Sequence, residues 1–202
     1  MIYRFLKTWL LPIVALIAVG IALATYESDY LFKVQELNLF LYSKMFFEQQ
    51  MVVSGGLLTW LGTYFTQYFY YPALGTTLLC LWLGLMMWLF KPAFRIADRY
   101  SALLLVPLAL VVITDVDLGY WIYYLKLRGH FFIAPMGFSW AFAMVWAYRV
   151  LPTKWWLRTI WLPISVALSY PFVGIYSLIA ALTMAVMALV ANKSIGRKFI
   201  DA

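Results

Sequence analysis

Six long apolar runs are the feature that most limits what this chain can fold into. The hydrocarbon core of a bilayer is about 30 Å thick, so a spanning helix needs about 20 mostly apolar residues. The predicted spans are Trp9–Thr25, Ala73–Phe90, Ser101–Thr114 with an extension to Leu118 left open, Phe131–Tyr148, Trp156–Tyr170 and Phe172–Ala191. The sequence therefore predicts an all-α fold: a polytopic transmembrane helix bundle of about six spans, forming a single membrane domain over residues 1–202.

Composition supports this class of protein. The chain is 66% hydrophobic and 11% charged, against about 45–50% and about 25% in soluble domains. Its basic start followed by an apolar run is also the pattern of a cleaved signal peptide. Because the run is long enough to span, and a cleavage site would fall inside it, we expect an uncleaved first span.

The charged residues predict how the spans are oriented. Eleven of the fifteen basic residues fall on one side of a six-span layout. They are Arg4, Lys7, Lys91, Arg95, Arg99, Arg149, Lys154, Arg158, Lys193, Arg197 and Lys198. Because basic residues accumulate on the cytoplasmic side, we expect both termini in the cytoplasm and residues 26–71 outside. The net charge of +7 is then a topology signal, so the expected partner is the lipid bilayer and no nucleic acid.

The long outer segment, residues 26–71, predicts two interfacial helices. Leu57–Tyr71 is apolar enough to pass as a further span, but spanning would invert every later segment and place the basic loops outside. We therefore expect an amphipathic helix at the membrane surface, preceded by a Gly55-Gly56 joint. Lys33–Glu48 is the second helical candidate, with Lys44 and Glu48 spaced as an i,i+4 pair.

Charged and polar residues on the outer side are the candidate site. Asp29 and Glu36 are the catalytic candidates, as general base or as ligands of a divalent ion. Glu36 draws most interest because it lies in an apolar helix and would need a partner or a shifted pKa. The substrate-binding candidates are Arg128, Lys126, Gln67 and Asp115. Asp115 is expected to end the third span facing an outer aqueous pocket, and Arg128 or Lys126 would pair with phosphate. The alternative is that these are ordinary solvated loop charges.

The other polar features give a weaker indication. Gln67 continues a threonine stripe, Thr59, Thr63 and Thr66, which either lines a groove or faces water. One Cys and one His make a zinc site unlikely, so no metal ligand is assigned and the cofactor stays unknown. The spans contain no charged residue in this layout, which argues against an ion-coupled transporter.

Residues 32–75 contain a set of short motifs: Gln35-Glu36, Gly55-Gly56, Trp60-Leu61-Gly62, Thr66-Gln67, Tyr71-Pro72 and Gly75. With these motifs the segment resembles the first outer loop of an uncharacterised family of bacterial polytopic membrane proteins. The resemblance implies a multi-pass protein of the bacterial inner membrane. It also implies longer relatives, so we expect an N-terminal membrane half, a short member or a truncated product.

The layout is also similar to the membrane core of GT-C glycosyltransferases. That likeness implies action on lipid-linked sugars at the outer leaflet, with Asp29 or Glu36 in the role of the catalytic carboxylate. The chain departs from those enzymes because it has no clear paired-acid motif. Two functions therefore stay open: a GT-C-like transferase module or its remnant, and a non-catalytic membrane subunit whose outer loop docks a partner.

Overall fold

The computed structural model describes the backbone of residues 2–120, 128–151 and 155–200, and the side chains of residues 8–116, 128–151 and 157–190. Over these ranges the chain forms helices and no strand, which confirms the predicted all-α class. The α-helices are α1 Ile2–Thr25, α2 Ser28–Leu37, α3 Lys44–Met51, α4 Gly56–Thr66, α5 Pro72–Phe94, α6 Leu105–Tyr120, α7 His130–Val150, α8 Trp155–Val173 and α9 Ile175–Ile200. Two 3₁₀ segments, Gln67–Tyr70 and Asp98–Leu104, precede α5 and α6.

Four helical stretches are long and apolar enough to cross a membrane. They are Thr8–Thr25, Pro72–Phe94, Asp98–Val116 and His130–Val150. Two further apolar stretches, Leu157–Val173 and Ile175–Val190, are shorter. They are parts of the longer helices α8 and α9, which have 19 and 26 residues. All six coincide with the predicted spans.

Contacts between α1 and α5 show that these two helices are antiparallel. The Sγ atom of Cys80 lies 3.6 Å from the carbonyl oxygen of Leu16. Further along both helices, the Lys91 ammonium lies 5.7 Å from the centre of the Trp9 ring. Lys91 also pairs with Asp98 at 2.8 Å, at the turn between α5 and the segment that leads into α6.

The other end of the bundle gathers three parts of the chain that are distant in sequence. The Gly55 N–H donates to the carbonyl oxygen of Pro171 at 3.0 Å. The Gly129 N–H donates to Oδ1 of Asn38 at 2.7 Å. Residues 26–71, the start of α7 and the α8–α9 turn therefore meet at one end, which we call the α4 end.

The predicted helix Lys33–Glu48 is wrong, because the chain leaves helical geometry between α2 and α3. Asn38 follows the last residue of α2, and its side-chain amide donates to the carbonyl oxygen of Val34 at 2.7 Å. Ser43 caps α3 by accepting from the N–H of Phe46 at 3.2 Å. Asn and Ser stabilise helix ends because their side chains compete for backbone groups.

Helix α4 lies across the α4 end of the bundle. It begins beside Gly174 in the α8–α9 turn, passes Gly129 at the start of α7, and leads to Phe69, which packs on Gly75 of α5. Its 11 residues are too few to span a bilayer. The threonine stripe neither lines an open groove nor faces water, because Thr63 and Thr66 are buried. Their hydroxyls donate to the carbonyl oxygens of Thr59 and Gly62, each at 2.7 Å.

Candidate functional site

The two predicted catalytic carboxylates lie on α2, and both are exposed. Glu36 does not pack against an apolar surface, because the buried residues of α2 are Leu31 and Val34. Instead, Oε2 of Glu36 lies 2.6 Å from Nζ of Lys33, and each side chain is about half exposed. Lys33 therefore supplies the partner that an interfacial carboxylate needs.

We expect Glu36→Gln to change the free energy of unfolding by less than about 1 kcal/mol, because exposed ion pairs contribute little. The change should be measured by thermal or denaturant unfolding in detergent micelles, with Glu48→Gln as the matched control. Glu48 pairs with Lys44 at 3.5 Å in the same exposed setting on α3. A substantially larger loss for Glu36→Gln alone would show that Glu36 has a structural contact beyond Lys33.

Gln67 connects distant parts of residues 26–71 through its side-chain amide. Its Nε2 donates to the carbonyl oxygens of Asn38 and Thr63, and its Oε1 accepts from Nε2 of Gln35 at 3.2 Å. These bonds use the amide's donors and one of its acceptor positions within the protein. Its substrate-binding role stays a prediction, and its visible role is to join α2 to the end of α4.

Asn38 is the important polar residue that sequence reasoning missed. Its side chain is 3% exposed and bonds both Val34 and the Gly129 N–H, so it connects α2 to the start of α7. The available signal was an asparagine inside the apolar run LNLF at the end of a helical pattern. Such a residue indicates a helix end with a buried partner.

Asp115 does not face an aqueous pocket, contrary to the sequence prediction. Helix α6 continues to Tyr120, so Asp115 lies inside the helix with only 5% of its surface exposed. It also falls within the apolar stretch Asp98–Val116. The statement that no charged residue lies within a span is therefore wrong, and with it the argument against an ion-coupled transporter.

The remaining predicted residues are two basic ones. Arg128 is exposed and immediately precedes Gly129, which the Asn38 side chain contacts. Arg128 and Glu36 thus lie on neighbouring segments of the α4 end. Lys126 lies outside the described residues. Among the residues that the structure describes, no group of three or more His, Cys, Asp or Glu side chains could hold a metal ion.

A large apolar cavity lies directly beneath α4. Its volume is about 840 Å³, within the range of about 300–1,000 Å³ that is usual for ligand pockets. Helix α4 contributes Leu57, Leu58 and Leu61 at the top, while α5, α7 and α8 form the floor and the sides. The other lining residues are Trp82, Leu85, Leu89, Met136, Ser139, Trp140, Ala143, Met144, Ala147, Trp161, Ser165, Leu168, Ser169, Phe172 and Val173. We call this cavity the lateral groove; none of the predicted site residues lines it.

The serines of the lateral groove do not make it polar. Ser139 donates to the carbonyl oxygen of Pro135 at 2.7 Å, Ser165 to that of Leu162 at 3.1 Å, and Ser169 to that of Ser165 at 2.7 Å. The Ser139 and Ser165 hydroxyls are thus satisfied within their own helices, and Oγ of Ser169 also lies 2.9 Å from Oγ of Ser177 on α9. The wall presents mainly hydrocarbon and indole surface, which favours an apolar ligand.

The groove is open to the side of the bundle. Leu85 of α5 and Trp140 of α7 are exposed there, and Leu168 of α8 is 69% exposed. At the top, α4 contacts its neighbours through glycine backbones. A Cβ atom on Gly62 would lie 2.9 Å from the Gly129 carbonyl oxygen, and one on Gly174 would lie 3.2 Å from Cα of Gly55. Helix α4 is therefore a closely packed roof.

These features define a helical membrane protein with an apolar groove on its lateral face, roofed by a helix that crosses the end of the bundle. The chain belongs to the Family of unknown function (DUF6057), whose family model matches residues 3–200. This match agrees with the expectation of an uncharacterised family. Comparison with curated proteins and with solved structures gave no match.

Proposed function

We propose that this chain is a multi-pass protein of the bacterial inner membrane that binds the hydrocarbon chain of a lipid-linked molecule. The lateral groove is the observation that carries the proposal. The groove is large and its wall is apolar. It opens on the side of the bundle, and two of the helices that line it, α5 and α7, are long and apolar enough to cross a membrane. An occupant of such a groove gains the free energy of apolar burial and close packing.

The proposed orientation has six spans, both termini in the cytoplasm and the α4 end outside. The end of the bundle opposite α4, together with the residues that adjoin it in sequence, carries several basic side chains: Lys91, Arg95, Arg99, Arg149 and Arg158. Basic residues favour the cytoplasmic side. The stretches Leu157–Val173 and Ile175–Val190 belong to helices of 19 and 26 residues, so they would supply the last two spans.

The ligand class follows from the place of the groove under α4. A chain bound there would have its headgroup near the outer surface, where Asp29, Glu36 and Arg128 also lie. A lipid-linked sugar fits this arrangement, and a GT-C-like transfer reaction with Glu36 or Asp29 as the acting carboxylate remains the enzymatic form of the proposal. The alternative to the proposal is a non-catalytic membrane subunit whose outer loop docks a partner, with an apolar helix of that partner in the groove.

Ala143→Phe is expected to reduce lipid occupancy of the groove by about tenfold or more, because the added ring fills space beside the floor of the groove. Occupancy should be measured with phospholipids that carry a diazirine near the methyl end of one chain. After illumination, labelling should be found on Met136 and Met144, which are nearly fully buried and line the groove. Ala109→Phe, at an exposed position on α6, is the matched control and should leave the labelling unchanged.

A second measurement separates the lipid from a partner helix. Trp140 lies at the open side of the groove and can be replaced by a photoreactive benzoylphenylalanine. A lipid adduct on this residue in native membranes supports the proposal. An adduct with another protein contradicts the proposal and favours the subunit function. The absence of lipid labelling on Met136 and Met144 in the unaltered protein also contradicts the proposal.

A further inference from the structure

The outward face of α4 carries a cluster of aromatic rings. It consists of Phe40, Tyr42, Trp60, Tyr64 and Tyr68, which we call the aromatic cluster. Phe40 lies at its centre, with its ring centroid 4.9 Å from that of Tyr42 and 5.4 Å from those of both Trp60 and Tyr64. The irregular segment between α2 and α3 thus packs on α4 through aromatic contacts.

Two of the rings form a parallel pair along α4. Trp60 and Tyr64 are one helical turn apart, with an interplanar angle of 10° and centroids 6.3 Å apart. Both are part-exposed, and Tyr42 beside them is 83% exposed. The cluster therefore offers aromatic surface to the outside at the α4 end.

The tyrosine hydroxyls of the cluster converge on Tyr64. The hydroxyl oxygens of Tyr64 and Tyr68 are 2.8 Å apart. Hydrogen bonds from Tyr68 and from Tyr42 lower the pKa of Tyr64. Tyrosines that serve only as membrane-interface anchors need one polar tip each, directed to water. Here the hydroxyls are gathered beside exposed ring surface.

Four of the six charged side chains in residues 26–71 form two ion pairs. Lys33 pairs with Glu36 at 2.6 Å, and Lys44 pairs with Glu48 at 3.5 Å. The aromatic cluster itself contains no ionisable group other than tyrosine. Its chemistry therefore suits an uncharged ligand that has both apolar C–H surface and many hydroxyl groups.

We infer that the aromatic cluster is a binding surface for a sugar ring of an uncharged saccharide. A pyranose ring places its C–H groups on an aromatic face and its hydroxyls against phenol hydroxyls. The inference deepens the proposed function and rests on it for orientation, because α4 contributes side chains both to the groove and to the cluster. Leu57, Leu58 and Leu61 line the groove, while Trp60 and Tyr64 lie on the adjoining face of the same helix, since Tyr64 is three residues from Leu61.

The test uses free sugars, so its outcome does not depend on the groove. Glucose, galactose, mannose and N-acetylglucosamine should each be added to the full chain in lipid nanodiscs and examined by saturation-transfer NMR. At least one sugar should receive saturation through its ring C–H protons. Tyr64→Phe keeps the ring and removes the hydroxyl, and should weaken binding of that sugar about three- to tenfold, as expected for one neutral hydrogen bond.

Tyr26→Phe is the matched control, because Tyr26 is an exposed tyrosine that follows α1 at the same end, outside the cluster. It should leave binding unchanged. Trp60→Leu should abolish the saturation transfer while the melting temperature shows that the protein stays folded. The inference is overturned if no sugar receives saturation, or if Tyr26→Phe weakens binding as much as Tyr64→Phe does. Labelling of Met136 by lipid in the same preparation would then show that the groove proposal stands without it.

Discussion

Gly129→Ala is expected to lower the free energy of unfolding by about 2–5 kcal/mol. Gly129 has a φ of 65°, a left-handed conformation that costs other residues about 1–2 kcal/mol. A Cβ atom there would also lie 2.5 Å from the carbonyl carbon of Gly62 and 2.5 Å from the nitrogen of Thr63. Both are backbone atoms of α4, so no side-chain rotation relieves the clash, and overpacking of this kind costs about 1–3 kcal/mol.

The measurement is thermal or denaturant unfolding of the purified protein in detergent, with Gly84→Ala as the matched control. At Gly84 in α5 the added methyl would lie 3.4 Å from Cδ2 of Leu16, which is ordinary contact. Alanine at a helical position is expected to be neutral or to stabilise by up to about 1 kcal/mol. Equal effects of the two substitutions would show that α4 does not pack on Gly129 at close range.

Asn38→Leu is expected to destabilise the fold by about 1–3 kcal/mol, the range for a buried polar group that loses its partner. The substitution leaves the N–H of Gly129 without the Oδ1 acceptor that it contacts at 2.7 Å. It also removes the bond to the Val34 carbonyl oxygen that ends α2. Unfolding should be followed by circular dichroism, with Gln49→Leu, an exposed amide on α3, as the control.

Combining Asn38→Leu with Gly129→Ala tests whether the two residues share one contact. Because they meet in the same place, the double variant should lose less stability than the two single losses added together. Additive losses would mean that Asn38 and Gly129 stabilise separate parts of the structure. A loss below about 0.5 kcal/mol for Asn38→Leu would contradict its role in joining α2 to α7.

Local patterns predicted the helices well where they are long and apolar. The six predicted spans coincide with helices because each run satisfies its own backbone hydrogen bonds and needs no distant partner to be helical. The Gly55-Gly56 joint before α4 was also predicted from local sequence, because glycine readily adopts positive φ angles. Gly55 has a φ of 82°. The break at Asn38 was missed because apolar periodicity continues across it, and a distant glycine holds the side chain that ends α2.

The candidate site was harder to predict because burial depends on neighbours. Glu36 looked buried from its apolar sequence neighbours, yet α2 turns Leu31 and Val34 inward and leaves Glu36 with Lys33. Asp115 looked like the end of a span, yet α6 continues past it and its side chain is buried. In both cases a change of less than one helical turn in position or rotation reverses the exposure of the side chain.

The sequence by itself determined the class of protein. Three features of the sequence were enough for this: apolar runs of spanning length, the unequal distribution of basic residues, and the residues that interrupt helices around residues 26–71. Each depends only on the surrounding solvent or on the adjacent backbone. The lateral groove, the glycine contacts of α4 with Gly129 and Gly174, and the aromatic cluster were decided by the tertiary structure. Each of them joins segments that lie tens of residues apart. The apolar periodicity of one segment does not predict which other segment it contacts.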